Sequence, residues 1–347
     1  MKYINKYIIL LLIIALIALI AFICSHINKQ HKKCLVMFDT HTMKKLYHKY
    51  GISYNIVNGY TELTKKSGIK DKTIKLCDIN NKNAINISRN KLESQGLFKK
   101  HNINISNFLK WNNNKSDKEN ITNINNNLTF PLVIKYSKGT MGTDVYTNIY
   151  NNKKILNIIK KLKNEKKNEI IIEEFQQGYR YRIYILNNTI IFIEKFYPPI
   201  IVGDGKSSVS ELINNYTTHT YNPMKYELQP ISHIEEHLIE EQGYYMDSIL
   251  EQNKKIQITG IITYSNGAIM ENIPISSVHF NNQKMFLNVN KIVGLNLSGI
   301  DFISEDISTP YIGKVLEVNA APSYNPDYHS DKTNKLLIDS LFNNYTD

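Results

Sequence analysis

The sequence predicts an α+β protein of two or three packed lobes behind an N-terminal membrane-spanning helix. Its 347 residues are enough for that many lobes, each with its own core. An uncharged apolar run lies near the N-terminus. Beyond it, segments with the pattern of β-strands alternate with segments of helical periodicity. Hydrophobic residues make up 42% of the chain and charged residues 21%, which excludes a chain that is disordered throughout.

The apolar run from Tyr7 to Cys24 contains neither a charged residue nor a proline. As a helix it would reach about 27 Å, close to the hydrocarbon thickness of a bilayer. A cleaved signal peptide is the alternative, but its apolar region is usually about 7–15 residues long and ends at small residues. Here the run is longer and is followed by Ser25 and His26. An uncleaved anchor is therefore predicted.

The lysines on the two sides of this run bear on its orientation. Lys2 and Lys6 precede it, whereas Lys29, Lys32 and Lys33 follow it. Because positive charge is enriched on the cytoplasmic side of membrane helices, the larger cluster favours a cytosolic location for the rest of the chain. The sequence thus predicts a single-pass membrane protein.

The formal net charge of +11 can attract anions. No Arg-rich or aromatic-interleaved nucleic-acid motif accompanies it, so no nucleic acid partner is expected. A Lys-rich solvated surface and a phosphate-bearing ligand both remain compatible with the charge. The three cysteines, Cys24, Cys34 and Cys77, form no CxxC pair and have no zinc-site spacing, which argues against a secreted disulfide scaffold.

Hydrophobic periodicity and turn signals predict the following elements. Strands are expected at 34–38, 52–57, 130–136, 169–175, 300–304 and 313–319, and a hairpin at 181–186 and 189–196. Helices are expected at 43–50, 90–101, 153–163, 284–293 and 331–342, with another beginning at 207. The polar stretch 112–127 is expected to be a flexible loop or an insertion, and 256–264 with 268–274 a second hairpin.

Two late strands carry a candidate metal site. Glu317 and Asn319 are two residues apart on one predicted strand and therefore point to the same face. Asp301 lies on the strand before it. Two carboxylates and an amide are ligands that suit Mg²⁺. A solvated polar strand face is the alternative, but Glu317 and Asn319 stand within apolar runs, where polar groups need a partner.

A loop after the 130–136 strand carries a candidate phosphate site. Lys135 lies near the end of the strand, directly after its apolar residues, and Ser137, Gly139, Thr140 and Gly142 follow in the loop. Glycines let backbone N–H groups approach a phosphate closely, and a lysine can hold a phosphate oxygen. A strand-to-turn junction with a surface lysine would look the same, and GxxxxGK[ST] is absent.

Acidic and basic pairs flank the next strands. Glu173 and Glu174 end a buried-type strand, where they could contact a ribose or an adenine edge. Arg180 and Arg182 alternate with tyrosines and so share one strand face, from which they could clamp a phosphate or a carboxylate. The alternative for the two glutamates is a strand end exposed to solvent, and the alternative for the two arginines is an exposed sheet face.

Taken in order, these segments resemble the ATP-grasp ligases, in particular the ATP-grasp region of cyanophycin synthetase and the related glutathione-synthesising ligases. The resemblance covers about residues 90–322. The segments that carry it are FPLVIKYSKGTMGTDV, IIIEEFQQGYRYRIYIL, PPIIVGDGKSSVSELI, GYYMDSI, GLNLSGIDFISEDIS and VLEVNAAP.

The resemblance implies an ATP-grasp fold, in which two α+β subdomains grip ATP between antiparallel sheets. The implied organisation is an anchor and linker at 1–30, a small α/β lobe at 31–88 and the ATP-grasp domain at 89–347. It further implies a role in catalysis for Lys135 and Arg182, nucleotide contacts and a magnesium site. The implied nucleotide contacts are Lys135, Ser137, Gly139, Thr140, Gly142, Glu173 and Glu174, and the implied metal ligands are Asp301, Glu317 and Asn319.

The implied activity is that of an ATP-dependent carbon–nitrogen ligase. A carboxylate would be activated as an acyl phosphate and transferred to an amine, with an amino acid or a peptide as substrate. ATP and Mg²⁺ are the implied cofactors, with two ions possible and Mn²⁺ as a possible substitute. Neither the substrates' identity nor the oligomeric state follows from the sequence.

Three departures from the family pattern bear on activity. Asp144 stands where a further glycine is usual, and Arg180 where an acidic residue or histidine often stands. The stretch from Thr259 to Ile262 replaces an Arg-Asn-x-Asn string, so a cationic group is missing. A catalytically impaired ATP-binding pseudoenzyme or membrane scaffold is therefore the alternative. No Mur-ligase-like domain follows, so cyanophycin polymerisation is not expected.

Overall fold

The computed structural model describes residues 40–58, 60–66, 71–139, 142–216, 230–231 and 234–343. The predicted membrane span from Tyr7 to Cys24 and the predicted strand at 34–38 lie outside these residues. Within the described ranges, no helix has the length and apolar character needed to cross a membrane.

Strands and helices alternate along the described chain. The strands are β1 (Ile52–Val57), β2 (Tyr60–Lys65), β3 (Lys72–Lys75), β4 (Phe108–Lys110), β5 (Leu132–Tyr136), β6 (Val145–Ile149), β7 (Ile170–Glu174), β8 (Tyr179–Leu186), β9 (Thr189–Tyr197), β10 (Ile200–Val202), β11 (Lys255–Gln257), β12 (Ile269–Ile273), β13 (Leu297–Ser304) and β14 (Lys314–Asn319). The helices are α1 (His41–Lys49), α2 (Lys82–Arg89), α3 (Lys91–Lys100), α4 (Asp117–Asn127), α5 (Asn152–Asn164), α6 (Val209–Asn214), α7 (Glu236–Glu241), α8 (Phe280–Val293) and α9 (Asp331–Asn343).

The chain divides into two compact units. The described residues up to Asn80 and from Ala321 onward form one unit, and Asn81–Ala320 forms the other. The domain boundaries expected from the sequence, at 30/31 and 88/89, stay a prediction.

The first unit combines both ends of the described chain. Its antiparallel sheet has the order β1-β2-β3, and it also contains α1 and α9. Lys49 Nζ lies 2.6 Å from an Asp331 carboxylate oxygen, and Lys65 Nζ lies 3.3 Å from one of Asp339. Residues more than 270 positions apart in sequence are thus brought together.

The larger unit contains two principal antiparallel sheets. One has the order β4-β7-β5-β6, and α4 and α5 cover one of its faces. Trp111, Ile124 and Ile159 are buried in the core between them. This layer forms because the apolar residues of α5 recur at helical spacing and those of β5 and β7 are nearly continuous.

The other sheet has the order β12-β9-β8-β13-β14. Helices α2, α3 and α8 pack on one face of it, where Phe98 and Phe286 meet Ile183 and Phe302. Because side chains alternate across a strand, the opposite face of β8 and β13 carries Arg180, Arg182 and Asp301. The α+β architecture with antiparallel sheets that was expected from the sequence is confirmed.

The β8–β9 hairpin also matches its prediction. Asn187 and Asn188 both have positive φ, 50° and 60°. Two successive residues in this conformation form the two-residue turn whose twist suits a hairpin, and asparagine tolerates it well.

The prediction of a loop at 112–127 was wrong, because Asp117–Asn127 forms helix α4. Ser116 and Glu119 make a capping box: the Ser116 side chain accepts from the Glu119 N–H, and the Glu119 carboxylate accepts from the Ser116 N–H at 2.8 Å. Ile124 is buried in the core beneath the helix. The many asparagines of this segment favoured a loop in the prediction, although the segment forms a helix with an N-terminal cap and one apolar face.

The prediction of a hairpin between 256–264 and 268–274 was also wrong. Strand β11 pairs with β10, whereas β12 pairs with β9 on the five-stranded sheet. The turn itself exists: Tyr264–Asn266 is a short 3₁₀ helix that ends at Gly267, whose φ is +78°. This turn leads the chain from one sheet to another. The residues of the turn do not indicate whether the flanking strands pair with each other or with strands of different sheets.

Candidate active site

Residues of both sheets in the larger unit line one cleft. The four-stranded sheet contributes β5, β6 and β7, and the five-stranded sheet contributes β8, β13 and β14. The loop after β5 and the stretch after β11 also reach it. Its lining includes Lys91, Val133, Lys135, Gly139, Gly142, Thr147, Glu173, Glu174, Arg180, Gly260, Ile261, Ile262, Thr263, Asp301, Leu316 and Glu317.

Lys135 and Glu173 form an ion pair on neighbouring strands of the four-stranded sheet. Glu173 is the cross-strand partner of Val133, so Lys135 lies two residues further along the same face. Only 9% of Lys135 and 2% of Glu173 are exposed. The other Glu173 oxygen accepts from Gln95 Nε2 at 3.1 Å. Buried charges need such partners, so an anionic ligand at Lys135 would compete with Glu173.

The loop after β5 is tightly folded at its two glycines. A Cβ on Gly139 would lie 2.7 Å from the Thr143 carbonyl oxygen, and Gly142 has a φ of +75°. Both positions therefore favour glycine. Thr140, a predicted nucleotide contact, lies outside the described residues.

Asp144 stands where the family usually has glycine, yet it adopts the glycine-like conformation, with a φ of 59°. Aspartate is among the side chains that tolerate this region. Its carboxylate also accepts from Lys167 Nζ at 2.6 Å. The substitution therefore preserves the turn and adds a tether to it.

Asp301 receives two arginines on the five-stranded sheet. Arg182, its cross-strand partner, donates from Nε to Oδ1 and from Nη2 to Oδ2. Arg180 donates from Nη2 to Oδ2 at 2.6 Å. Burial raises the pKa of Asp301, while the guanidinium groups oppose that change. Burial alone would lower the pKa of Arg182, but Asp301 brings it above its usual range.

Glu317 is the cross-strand neighbour of Asp301 on β14. One of its oxygens lies 3.1 Å from Lys91 Nζ, and the other accepts from Asn319 Nδ2 at 3.3 Å. Burial by itself would raise the pKa of Glu317, but Lys91 and the two arginines hold it well below its usual range. The site thus places two carboxylates side by side among cations.

The residues predicted to hold magnesium fit that ion by their chemistry. Asp301 and Glu317 are paired across β13 and β14, and the Asn319 amide lies beside Glu317. Oxygen donors of this kind are those Mg²⁺ prefers, and it usually takes few protein ligands together with substrate phosphates. No group of three or more His, Cys, Asp or Glu side chains suited to a metal occurs in the part of the chain that the structure describes.

A buried carboxylate fastens the stretch after β11 to strand β6. Glu235 accepts from Gly260 N–H at 2.6 Å and from Thr147 Oγ1 at 2.7 Å. A Cβ on Gly260 would lie 2.3 Å from Thr147 Oγ1, so the close approach requires glycine there. Ile261 and Ile262 are thereby held in the cleft wall.

The predicted site residues fall into two groups by position. Lys135, Gly139, Gly142, Glu173, Glu174, Asp301 and Glu317 line the cleft. Ser137, Arg182 and Asn319 do not line it. Ser137 is fully buried, donates to Asn90 Oδ1 at 2.6 Å and accepts from the Leu92 N–H, so its side chain supports the start of α3. The roles of all these residues stay predictions.

Lys91 is a cleft residue that sequence reasoning missed. It is the first residue of α3, and its Nζ donates to the Gly139 carbonyl at 2.6 Å as well as pairing with Glu317. It therefore joins the glycine-bearing loop to the predicted metal carboxylate. The signal in the sequence was a lysine directly after the capping residue Asn90, which lysine abundance concealed.

Comparison with known proteins agrees with this geometry. Residues 88–193 match the model of the RimK-like ATP-grasp domain. In fold, the chain is similar to a bifunctional glutathione synthetase from Pasteurella multocida, with a TM-score of 0.55, 20% identity, and coverage of 87% of this chain and 44% of that one.

Two groups of curated relatives are similar in sequence. Cyanophycin synthetase of Synechocystis sp. is 28% identical over 204 residues, which are 56% of this chain and 23% of that protein. The glutathione biosynthesis bifunctional protein GshAB of Mannheimia succiniciproducens is 24% identical over 149 residues, 41% of this chain and 19% of that protein. The chain thus spans about a quarter or less of these relatives. Residues 88–193 are therefore similar to RimK-like ATP-grasp domains, and cyanophycin synthetase and GshAB are among the proteins that the chain resembles in sequence.

Proposed function

We propose that this protein is an ATP-dependent carboxylate–amine ligase that forms an amide bond through an acyl phosphate. The observation that carries the proposal is the convergence in one cleft of three cations, two neighbouring carboxylates and a glycine-bearing loop. The cations are Lys91, Lys135 and Arg180, and the carboxylates are Asp301 and Glu317. Similarity to ATP-grasp ligases supports the same class of reaction.

In the proposed reaction, a substrate carboxylate oxygen attacks the γ-phosphorus and ADP leaves with the electron pair of the broken bond. An amine nitrogen then attacks the acyl carbon, phosphate leaves with the electron pair of the broken carbon–oxygen bond, and the nitrogen gives up a proton to the departing phosphate or to water. Lys135 would hold phosphate oxygens, and the loop at 137–143 would lie over them. Positioned cations stabilise the charge that develops on the phosphoryl oxygens, so no side-chain nucleophile is needed.

Asp301, Glu317 and Asn319 would hold Mg²⁺ at the phosphates. The ion, when bound, supplies charge neutralisation on the phosphate oxygens. We propose one or two ions, with Mn²⁺ able to substitute, and an amino acid or a peptide as the substrate on either side of the new bond.

The first test is nucleotide binding by the full chain in detergent micelles, measured by calorimetry with ATP and with or without Mg²⁺. Wild type should bind ATP more tightly with Mg²⁺, and Glu317→Ala should lose that enhancement, because one of the two carboxylates is gone. Release of ADP and phosphate is then measured with panels of carboxylates and amines. Wild type that binds no ATP would contradict the proposal.

A second candidate function is an ATP-binding protein without ligase activity. The stretch Thr259–Gly260–Ile261–Ile262 favours it, because these residues bring no cationic side chain to the cleft wall. Magnesium-dependent ATP binding without ADP release, over a broad substrate panel, would favour this candidate over the ligase.

We also propose that the apolar run from Tyr7 to Cys24 anchors the protein in a membrane. The lysines after it and the need for ATP support a cytosolic site. One observation argues against a cytosolic location: Cys77 takes part in a disulfide bond, and disulfides are rare in the cytosol. Labelling of Cys77 in intact and permeabilised cells, before and after reduction, distinguishes the two sides.

A further inference from the structure

The cleft wall formed by residues 260–263 receives its cation from strand β8. Gly260, Ile261, Ile262 and Thr263 line the cleft there without a charged side chain. The guanidinium of Arg180, on β8, lies against this wall and donates from Nη1 to the Ile262 carbonyl oxygen at 2.9 Å.

Arg180 is held from three directions. Nη1 binds Ile262, Nη2 binds Asp301 Oδ2, and the guanidinium carbon lies 5.1 Å from the centre of the Phe196 ring. A guanidinium has five N–H donors, and these two contacts leave others for a ligand in the cleft. An aromatic face beneath the cation adds to its orientation.

Arg182 is differently placed, although it lies on the same strand face. Two of its donors are engaged by the two oxygens of Asp301, and it does not line the cleft. Of the two arginines, Arg180 alone therefore faces the space that a nucleotide would fill.

We propose that Arg180 is the catalytic residue that contacts the transferring phosphoryl group, and that Arg182 positions Asp301. This inference rests on the proposed function. As the substrate oxygen bonds to the γ-phosphorus and the bond to the ADP oxygen breaks, charge is spread over the phosphoryl oxygens. Arg180 donates to one of them while Ile262 keeps the guanidinium in place, and its planar fork suits that contact.

The test compares ligands that differ only in the γ-phosphoryl group, using the full chain in detergent micelles. Arg180→Met should raise the Kd of MgATP about tenfold or more, the usual effect of losing a charge-assisted hydrogen bond. The Kd of MgADP should change by less than about twofold, because MgADP lacks the group that Arg180 contacts. Calorimetry measures both constants.

Two further variants make the comparison interpretable. Lys195→Met removes the same charge from the opposite face of the same sheet, where Lys195 packs on Tyr179, and should change neither constant. If Arg180→Met fails to fold, Arg180→Lys can be used instead, because it keeps the charge but loses the planar guanidinium. It should still raise the Kd of MgATP more than the Kd of MgADP.

The outcomes separate this inference from the proposed function. A selective loss of MgATP affinity supports Arg180 as the phosphoryl contact. The assignment is overturned if wild type binds both nucleotides and the Arg180 variants keep both affinities or lose both equally. The proposed nucleotide site would still stand in that case. Wild type that binds neither nucleotide overturns both.

Discussion

Glu235 shows how one residue outside the predicted motifs can shape the cleft. Its carboxylate is buried, and the donors around it belong to Thr147, Asn148 and Gly260. Such a carboxylate accepts hydrogen bonds but offers none, which matches neighbours that each donate to it. It therefore holds the cleft wall of residues 260–263 against β6, and with it the Ile262 carbonyl that anchors Arg180.

Replacing Glu235 by glutamine should destabilise the protein by about 1–3 kcal/mol, because an amide NH₂ would face a donor in a buried site. Chemical denaturation followed by circular dichroism measures the change. Glu236→Gln is the matched control, since Glu236 is the exposed neighbour. Equal stability of the two variants would show that the Glu235 network contributes little.

Helix α4 shows how an element can form from a segment whose composition favours a loop. Its start is specified by the reciprocal hydrogen bonds of Ser116 and Glu119, and one apolar edge, with Ile124, contacts the core. The capping box is visible in the sequence as Ser-x-x-Glu, but the surrounding asparagines have low helix propensity. Tertiary packing of the apolar edge decided the outcome.

Ser116→Ala should cost about 0.5–2 kcal/mol of stability, because the first turn of α4 loses its cap. Thr122→Ala, at an exposed position inside the same helix, should be neutral or slightly stabilising, since alanine has the higher helix propensity. Thermal or urea unfolding compares them. A Ser116→Ala protein as stable as wild type would show that packing alone maintains this helix.

At the scale of the whole molecule, the unit that holds β1–β3 depends on the far end of the described chain. Phe342 in α9 is 1% exposed, its carbonyl accepts from Lys72 Nζ at 3.3 Å, and its ring lies 5.8 Å from Lys65 Nζ. The helix is thus part of the core that stabilises the three-stranded sheet.

Phe342→Ala should therefore destabilise this unit by about 3–5 kcal/mol through loss of buried area and a residual cavity. Hydrogen exchange measured by mass spectrometry should show faster exchange in β1–β3 and little change in β8 and β9, which belong to the other unit. Leu336→Ala, at a position 41% exposed on the same helix, is the control. Uniformly faster exchange in both units would mean that they unfold together.

The sequence by itself determined most of the elements and the resemblance to ATP-grasp ligases. Periodicity and turn residues located β8 and β9, their asparagine turn and helices α3 and α5, because these signals depend on near neighbours. The order of the motifs around Lys135, Glu173, Asp301 and Glu317 was enough to predict the ATP-grasp fold and, for these four residues, a shared site.

Only the tertiary structure decided which side chains meet in the cleft. Lys91, Arg180 and Glu235 acquire their positions through contacts with residues more than 20 positions away in sequence, and no local pattern specifies such contacts. The same holds for β11 and β12, whose strand partners were misassigned from their turn. Strand pairing and burial depend on the packing of the whole chain, so they follow from the fold and not from any one segment.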